Sequence, residues 1–159
     1  MLRVLRFLII LSCSQLAWSS GLAPEFRLPA LDGSGSHALS DYRGRVIYLD
    51  FWASWCGPCQ QSLPALDALQ KEYSPEDFQV IAINLDESPE EARAFLQKFP
   101  VDYVILSELT GKTQRAYNLV GLPSSFLIDQ KGEVIGSFQG FHPGHIKRLK
   151  KAIGYLLEE

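Results

Sequence analysis

With 159 residues the chain has room for one domain and a sizeable hydrophobic core. An apolar fraction of 47% and a charged fraction of 21% exclude global disorder. The formal net charge of −3, without a long basic stripe, argues against nucleic acid as a main partner, because phosphate binding needs concentrated Lys and Arg.

Residues 1–19 read as a signal peptide or N-terminal anchor, and residues 20–159 as a single domain. Arg3 and Arg6 form a short positive region, Phe7 to Leu11 supplies an apolar core, and Ala17-Trp18-Ser19 places small residues before a cut at Ser20. Ser12, Ser14 and Gln15 interrupt the apolar run, which is short for a membrane-spanning helix. Ile10-Leu11-Ser12-Cys13 loosely resembles a bacterial lipoprotein box, although Leu11 fits that pattern poorly. The plainer reading is that Cys13 is an ordinary residue of a discarded signal.

Phe26 to Leu31 and Ser36 to Leu39 flank Asp32-Gly33-Ser34-Gly35, which predicts a hairpin. Ser40 to Gly44 reads as a short turn. Val46 to Ala53 is nearly continuous apolar sequence rich in strand formers, as in a central strand covered on both faces, with Asp50 interrupting it. From Cys59 to Tyr73, Leu63, Leu66, Leu69 and Tyr73 recur at helical spacing, with Pro64 placed to kink the helix. Phe78 to Leu85 is the next strand. Ser88-Pro89-Glu90-Glu91 then starts a helix to about Lys98, with Ser88 as N-cap and two acids at the positive end.

Tyr103 to Leu106 predicts a strand, Gly111 to Tyr117 a short helix, and Ser124 to Asp129 a strand that a turn at Gln130–Glu133 joins to Val134–Phe138. Pro143 to Leu157 closes the chain as an amphipathic helix. Its Lys147, Arg148, Lys150 and Lys151 read as a solvated face. Strands alternating with helices imply an α/β domain with parallel connections and a terminal antiparallel hairpin.

The chain has three cysteines, Cys13, Cys56 and Cys59. A bridge across a two-residue spacer closes almost no loop, so chemistry explains the Cys56–Cys59 pair better than stability does. The pair follows a buried strand and opens a helix. Free backbone N–H groups and the helix dipole stabilise a thiolate there, lowering a cysteine pKa from ~8.5 into roughly 3.5–7.5. Cys56, at the helix end, is expected to be the exposed nucleophile, and Cys59, one turn deeper, the resolving thiol. Zinc would need four ligands, and His37, His142 and His145 are remote in sequence and read as surface or turn residues.

The ten residues Asp50-Phe51-Trp52-Ala53-Ser54-Trp55-Cys56-Gly57-Pro58-Cys59 resemble the active-site strand and turn of thioredoxins. Gly121 to Asp129 resembles the loop that carries the family's cis-proline, which makes Pro123 cis and places it facing the cysteines. Asp50 matches the buried acid beneath the cysteines, where desolvation would raise its pKa and suit it to exchange a proton with Cys59. The resemblance implies catalytic roles for Cys56, Cys59 and Asp50, and a substrate-binding surface of Trp55, Gly57, Pro58, Leu122 and Pro123. It implies no metal, and no cofactor beyond a redox-active Cys56–Cys59 disulfide.

The N-terminal hairpin, the segment Leu39 to Arg45, and the helix and strand inserted between Asp86 and Leu106 resemble the TlpA/ResA/CcmG (DsbE) group of exported thioredoxin-like proteins. The fold this implies is a central mixed sheet flanked by helices, with an N-terminal β-hairpin and a central strand–helix insertion. The implied function is reduction of protein disulfides in the periplasm or at the outer face of the bacterial inner membrane. Cytochrome c maturation is one setting for it, with electrons drawn from a membrane donor of CcdA or DsbD type. Asp50 departs from the Asn of many such proteins, and Ser124-Ser125 departs from the acidic pattern typical of CcmG. A disulfide oxidase or isomerase shares the fold. A peroxiredoxin or a copper-binding chaperone fits less well, because the cysteine setting and the two-residue spacer differ from theirs.

Overall fold

The computed structural model describes residues 21–142 and 144–158, so the expected signal or anchor and Cys13 lie outside it. Among the described residues no helix is long and apolar enough to cross a membrane.

Val46-Ile-Tyr-Leu-Asp-Phe-Trp52 forms β3, buried at every position. It lies at the centre of a five-stranded sheet ordered β5-β4-β3-β6-β7. β4 (Phe78–Asn84) and β5 (Val104–Ser107) run parallel to their neighbours, whereas β6 (Ser124–Ile128) is antiparallel to β3 and β7 (Val134–Gln139) is antiparallel to β6.

Because strand side chains alternate between faces, β3 serves two cores. Tyr48 and Trp52 point to one side, where α1 (Cys59–Gln70) contributes Leu63, Leu66 and Leu69, and α4 (His145–Glu158) contributes Leu149 and Ile153. Ile47, Leu49 and Phe51 point to the other side, against Phe26, Leu28, Leu39, Tyr42 and Tyr117. The second face is thus covered by the N-terminal hairpin, β1 (Arg27–Pro29) with β2 (Ser36–Ala38), together with Tyr117 from the end of α3 (Lys112–Ala116). Full burial of each apolar β3 side chain is worth about 1.5–3 kcal/mol, so the strand that leads to the cysteines is firmly anchored.

The inserted α2 (Pro89–Lys98) starts as its sequence predicts, with Ser88 Oγ accepting the Glu90 N–H at 3.2 Å. Its Phe95 packs on Trp52 with ring centroids 5.2 Å apart. The segment expected as a short turn is instead a 3-10 helix, Leu39–Tyr42. Leu39 and Tyr42, three residues apart, both bury, and Asp41 Oδ2 accepts the Ala38 N–H at 2.8 Å, which favours the tighter winding. β5 begins one residue later than expected, since Val104 is the first residue paired with β4. Tyr103 turns inward, where its hydroxyl donates to the Leu63 carbonyl at 3.3 Å. The turn before β7 depends on Gly132 at φ +87°, a left-handed conformation that strains any residue with a Cβ.

Candidate active site

β3 ends at Trp52 and α1 starts at Cys59, so both cysteines lie in or beside the turn that joins a buried strand to a helix. The turn is wound by Cys56 N–H to Ala53 O and Cys59 N–H to Cys56 O, each 3.1 Å, and by Gln60 N–H to Gly57 O at 3.2 Å. Cys56 and Cys59 form a disulfide with their Cα atoms 5.3 Å apart. Cys59 is 0% exposed and Cys56 4%. The order of accessibility is as expected, yet Cys56 is more enclosed than an exposed nucleophile. It sits in the turn, three residues before the first residue of α1, and the surrounding core covers all but its outer edge.

Asp50 is 1% exposed and shares its face of β3 with Tyr48 and Trp52, the face that packs on α1. Burial pushes its carboxyl up to about 7, against the opposing effect of the bond from Ser125. Ser125 Oγ donates to Oδ1 at 2.7 Å, while Oδ2 is buried without a hydrogen-bond partner among the described residues. An acid poised near neutrality, with one oxygen unengaged, is able to take up or release a proton in the working pH range.

The Leu122–Pro123 peptide is cis, as the resemblance to thioredoxins implies. Pro123 directly precedes β6, whose Ser124 pairs with Phe51 of β3, so the proline lies at the end of the sheet from which the cysteine turn emerges. Leu122 packs half-buried against the core cluster containing both cysteines. Trp55, Gly57 and Pro58 are exposed in the turn, Trp55 to 72%, and form an outward-facing surface around Cys56.

Residues 19–153 match the Redoxin family. The chain belongs to that family. It is 37% identical over 112 residues to the thiol-disulfide oxidoreductase ResA of Geobacillus kaustophilus, a match covering 70% of this chain and 64% of that protein. It is 36% identical over 125 residues to the thioredoxin-like protein YneN of Bacillus subtilis, covering 77% and 69%. Among solved structures it resembles a Chlorobium tepidum protein designated as thiol:disulfide interchange protein DsbE. The TM-score is 0.81 at 43% identity, over 86% of this chain and 95% of that one. This is a Redoxin-family chain of the ResA and DsbE kind, with their thioredoxin-like fold.

Three features of this Redoxin chain were not apparent in its sequence. Asp86, just past β4, is 1% exposed and holds the Ser54 N–H with both oxygens, at 3.0 and 3.1 Å, fixing the turn that carries Cys56. Ser125 is the sole hydrogen-bond partner of the Asp50 carboxyl among the described residues. His145, expected at the surface, is 3% exposed, and its Nε2 lies 2.7 Å from the Tyr48 hydroxyl. Pairing with a phenol on the central strand, and packing against Phe138 at 4.9 Å, draw it inward. His142 is exposed, as expected, and His37 is half-buried against Tyr42. A buried acid such as Asp50 is signalled by a charge inside an apolar strand. A Ser that becomes its partner through sheet register, or a His that meets the central strand from a distant helix, carries no such signal.

Proposed function

We propose that this chain is an exported thiol–disulfide oxidoreductase that reduces disulfides in other proteins, with Cys56, Cys59 and Asp50 as its catalytic residues. The observation that carries this reading is the Cys56–Cys59 disulfide at the start of α1, on the sheet face that also buries Asp50.

In the reduced protein the Cys56 thiolate attacks one sulfur of a substrate disulfide, forming a mixed disulfide and expelling the other sulfur as a thiolate. Asp50, ionised, takes the proton of Cys59. The Cys59 thiolate then attacks the Cys56 sulfur, closes the Cys56–Cys59 bond and releases the second substrate thiolate. Two electrons have passed to the substrate, and the departing thiolates take up protons. The reaction requires no cofactor beyond the cysteine pair.

Trp55, Gly57, Pro58, Leu122 and Pro123 form the substrate surface, with backbone groups beside Pro123 available to an extended substrate segment. Regeneration consumes a dithiol donor, for which a membrane protein of CcdA or DsbD type is the partner that the resemblance suggests. Export rests on the positive and apolar character of residues 1–19 and places the reaction in the periplasm or on the outer face of the inner membrane. An oxidising compartment makes such a donor necessary for a reductase.

The test is a Cys59→Ser trap in the native host. Cys56 is expected to retain mixed disulfides that mass spectrometry of the captured proteins identifies. Equal capture by Cys56→Ser would overturn the assignment of the two sulfurs. Equilibration with a glutathione buffer tests the direction, and a potential as oxidising as that of a dedicated disulfide donor would reverse it.

A further inference from the structure

The proton that Asp50 exchanges with Cys59 has to reach water, and Asp50 is 1% exposed. Its neighbour on β4 is Ala82, which offers no polar group. On the other side its direct cross-strand partner on β6 is Ser125, whose Oγ donates to Asp50 Oδ1 at 2.7 Å. Tyr48 lies two residues before Asp50 on the same face of β3, diagonal to Ser125, within the reach of an aromatic side chain. In this arrangement the one Ser125 hydroxyl proton is committed to Asp50, and the Tyr48 phenol, pushed up foremost by burial, lies close enough to Ser125 to feel its hydroxyl. The Tyr48 hydroxyl in turn meets His145 Nε2 at 2.7 Å. His145, itself 3% exposed, is the first residue of α4, between exposed Gly144 and half-buried Ile146.

We propose that Ser125, Tyr48 and His145 form a proton path that connects Asp50 to solvent at the start of α4. The inference rests on the thiol–disulfide reading above, which gives Asp50 a proton to move. These three residues are positioning residues, since they act on the cysteines only through Asp50.

The path conserves every proton. When Cys59 has given its proton to Asp50, the carboxyl turns its protonated oxygen to Ser125 Oγ. Ser125 passes its own hydroxyl proton to Tyr48, and Tyr48 passes its proton to His145 Nε2. The imidazolium then releases the Nδ1 proton to water. Reduction of the disulfide by a donor needs the reverse flow: Nδ1 takes a proton from water and the chain delivers one to Asp50 and on to Cys59. Each half-reaction restores the hydroxyl orientations and the tautomer that the other requires.

The charged and titratable groups around the path are few. Tyr103 faces Asp50 from the end of the inserted segment, but its hydroxyl is engaged by the Leu63 carbonyl. Around His145, burial foremost and then Arg148 and His142 hold the imidazole below its ordinary value, so it rests neutral and is ready to accept a proton. The remaining packing on the imidazole comes from Phe138 and Phe141.

The test uses Ellman's reagent on the reduced full chain, which reports two thiolate releases in one trace: attack by Cys56, then resolution by Cys59. Samples start at pH 8, or at pH 5 with Asp50 protonated, and are mixed to the same final pH of 8. The wild type is expected to release its second thiolate equally fast from either start. Tyr48→Phe, Ser125→Ala and His145→Gln are expected to lag from the pH 5 start alone, on the order of a hundredfold, the low end of what a positioned proton-transfer group contributes. Added imidazole is expected to shorten the His145→Gln lag. A merely structural role cannot produce a difference that depends only on starting pH. Equal rates from both starts in Tyr48→Phe and Ser125→Ala overturn the path, and Ser125→Ala alone decides it where Tyr48→Phe does not fold. A wild-type chain that releases no second thiolate sinks the thiol–disulfide reading itself.

Discussion

Asp86 grips Ser54 across the ends of two parallel strands: Ser54 donates its backbone N–H to both carboxylate oxygens, at 3.0 and 3.1 Å, and its hydroxyl to Oδ1 at 3.0 Å. The Asn84 amide donates to Oδ2 at 2.8 Å, and Asn84 Oδ1 accepts the Asp86 N–H at 3.1 Å. This network pins the residue two positions before Cys56, so the turn is held from below as well as by its own hydrogen bonds.

Asp86→Ala leaves the Ser54 N–H and the Asn84 amide without partners in a buried setting. Stranding buried donors costs about 1–3 kcal/mol. Urea unfolding is expected to show a loss of that size, with Asp86→Asn retaining part of the difference because one acceptor oxygen remains. A loss below half a kcal/mol in Asp86→Ala would mean that the turn is set by its own backbone bonds.

The elements that bear the site were legible in the sequence because their signals are local. An all-apolar run is readable as β3, a C-x-x-C pair opening a helical pattern as α1, and Ser88-Pro89 as the start of α2. Asp50 was readable because a charge inside such a run has no other explanation than function or pairing. Asp86, Ser125 and His145 were not, since each gains its meaning from a partner that only the tertiary fold supplies. Ser125 sits opposite Asp50 only because β6 runs antiparallel to β3, and His145 meets Tyr48 from 97 residues away. The 3-10 helix at Leu39–Tyr42 was missed for a similar reason, as both of its buried residues answer to a sheet face formed by distant strands.

Asp50 makes stability fall with rising pH. Its folded-state value of about 7 stands above the ordinary 3.8, so the folded protein holds a proton that the unfolded chain has lost across that interval. Stability therefore declines from about pH 4 to pH 7 and levels off above, by up to about 4 kcal/mol at about 1.4 kcal/mol for each pH unit. Asp50→Asn removes this decline. In the disulfide form, where the cysteines do not titrate, the variant is expected to melt above the wild type at pH 8 and close to it at pH 4. Parallel melting curves at both values would place the Asp50 carboxyl outside the buried setting described.

Glu108 acts in the opposite direction. Burial alone would raise its carboxyl, but bonds from the Thr113 and Thr110 groups hold it down at about 2, below the ordinary 4.5. Its oxygens accept the backbone N–H groups of Thr110, Gly111 and Thr113, at 2.6, 3.1 and 2.9 Å, where α3 begins. The stabilisation is complete above about pH 4.5 and disappears as pH falls towards 2. Glu108→Gln is expected to unfold at lower denaturant concentration than the wild type at pH 6, with the gap narrowed to under half by pH 3. A gap of constant width across that range would assign the effect to shape and not to charge.

Trp55 separates binding from chemistry. It is 72% exposed beside Cys56, so its removal disturbs little packing and is expected to change stability by less than about half a kcal/mol. An exposed indole next to a nucleophile offers a large, rigid apolar face to a substrate chain, and such residues dominate binding energy when covered. Ellman's reagent is too small to cover that face, whereas a protein disulfide lies across it. Trp55→Ala is therefore expected to keep the wild-type rate with Ellman's reagent and to lose roughly tenfold in kcat/KM for insulin reduction, through KM more than kcat. Equal losses with both substrates would mean that the indole shapes the reactivity of the Cys56 sulfur. Loss with neither would move the docking surface to the Leu122 side of the cysteines.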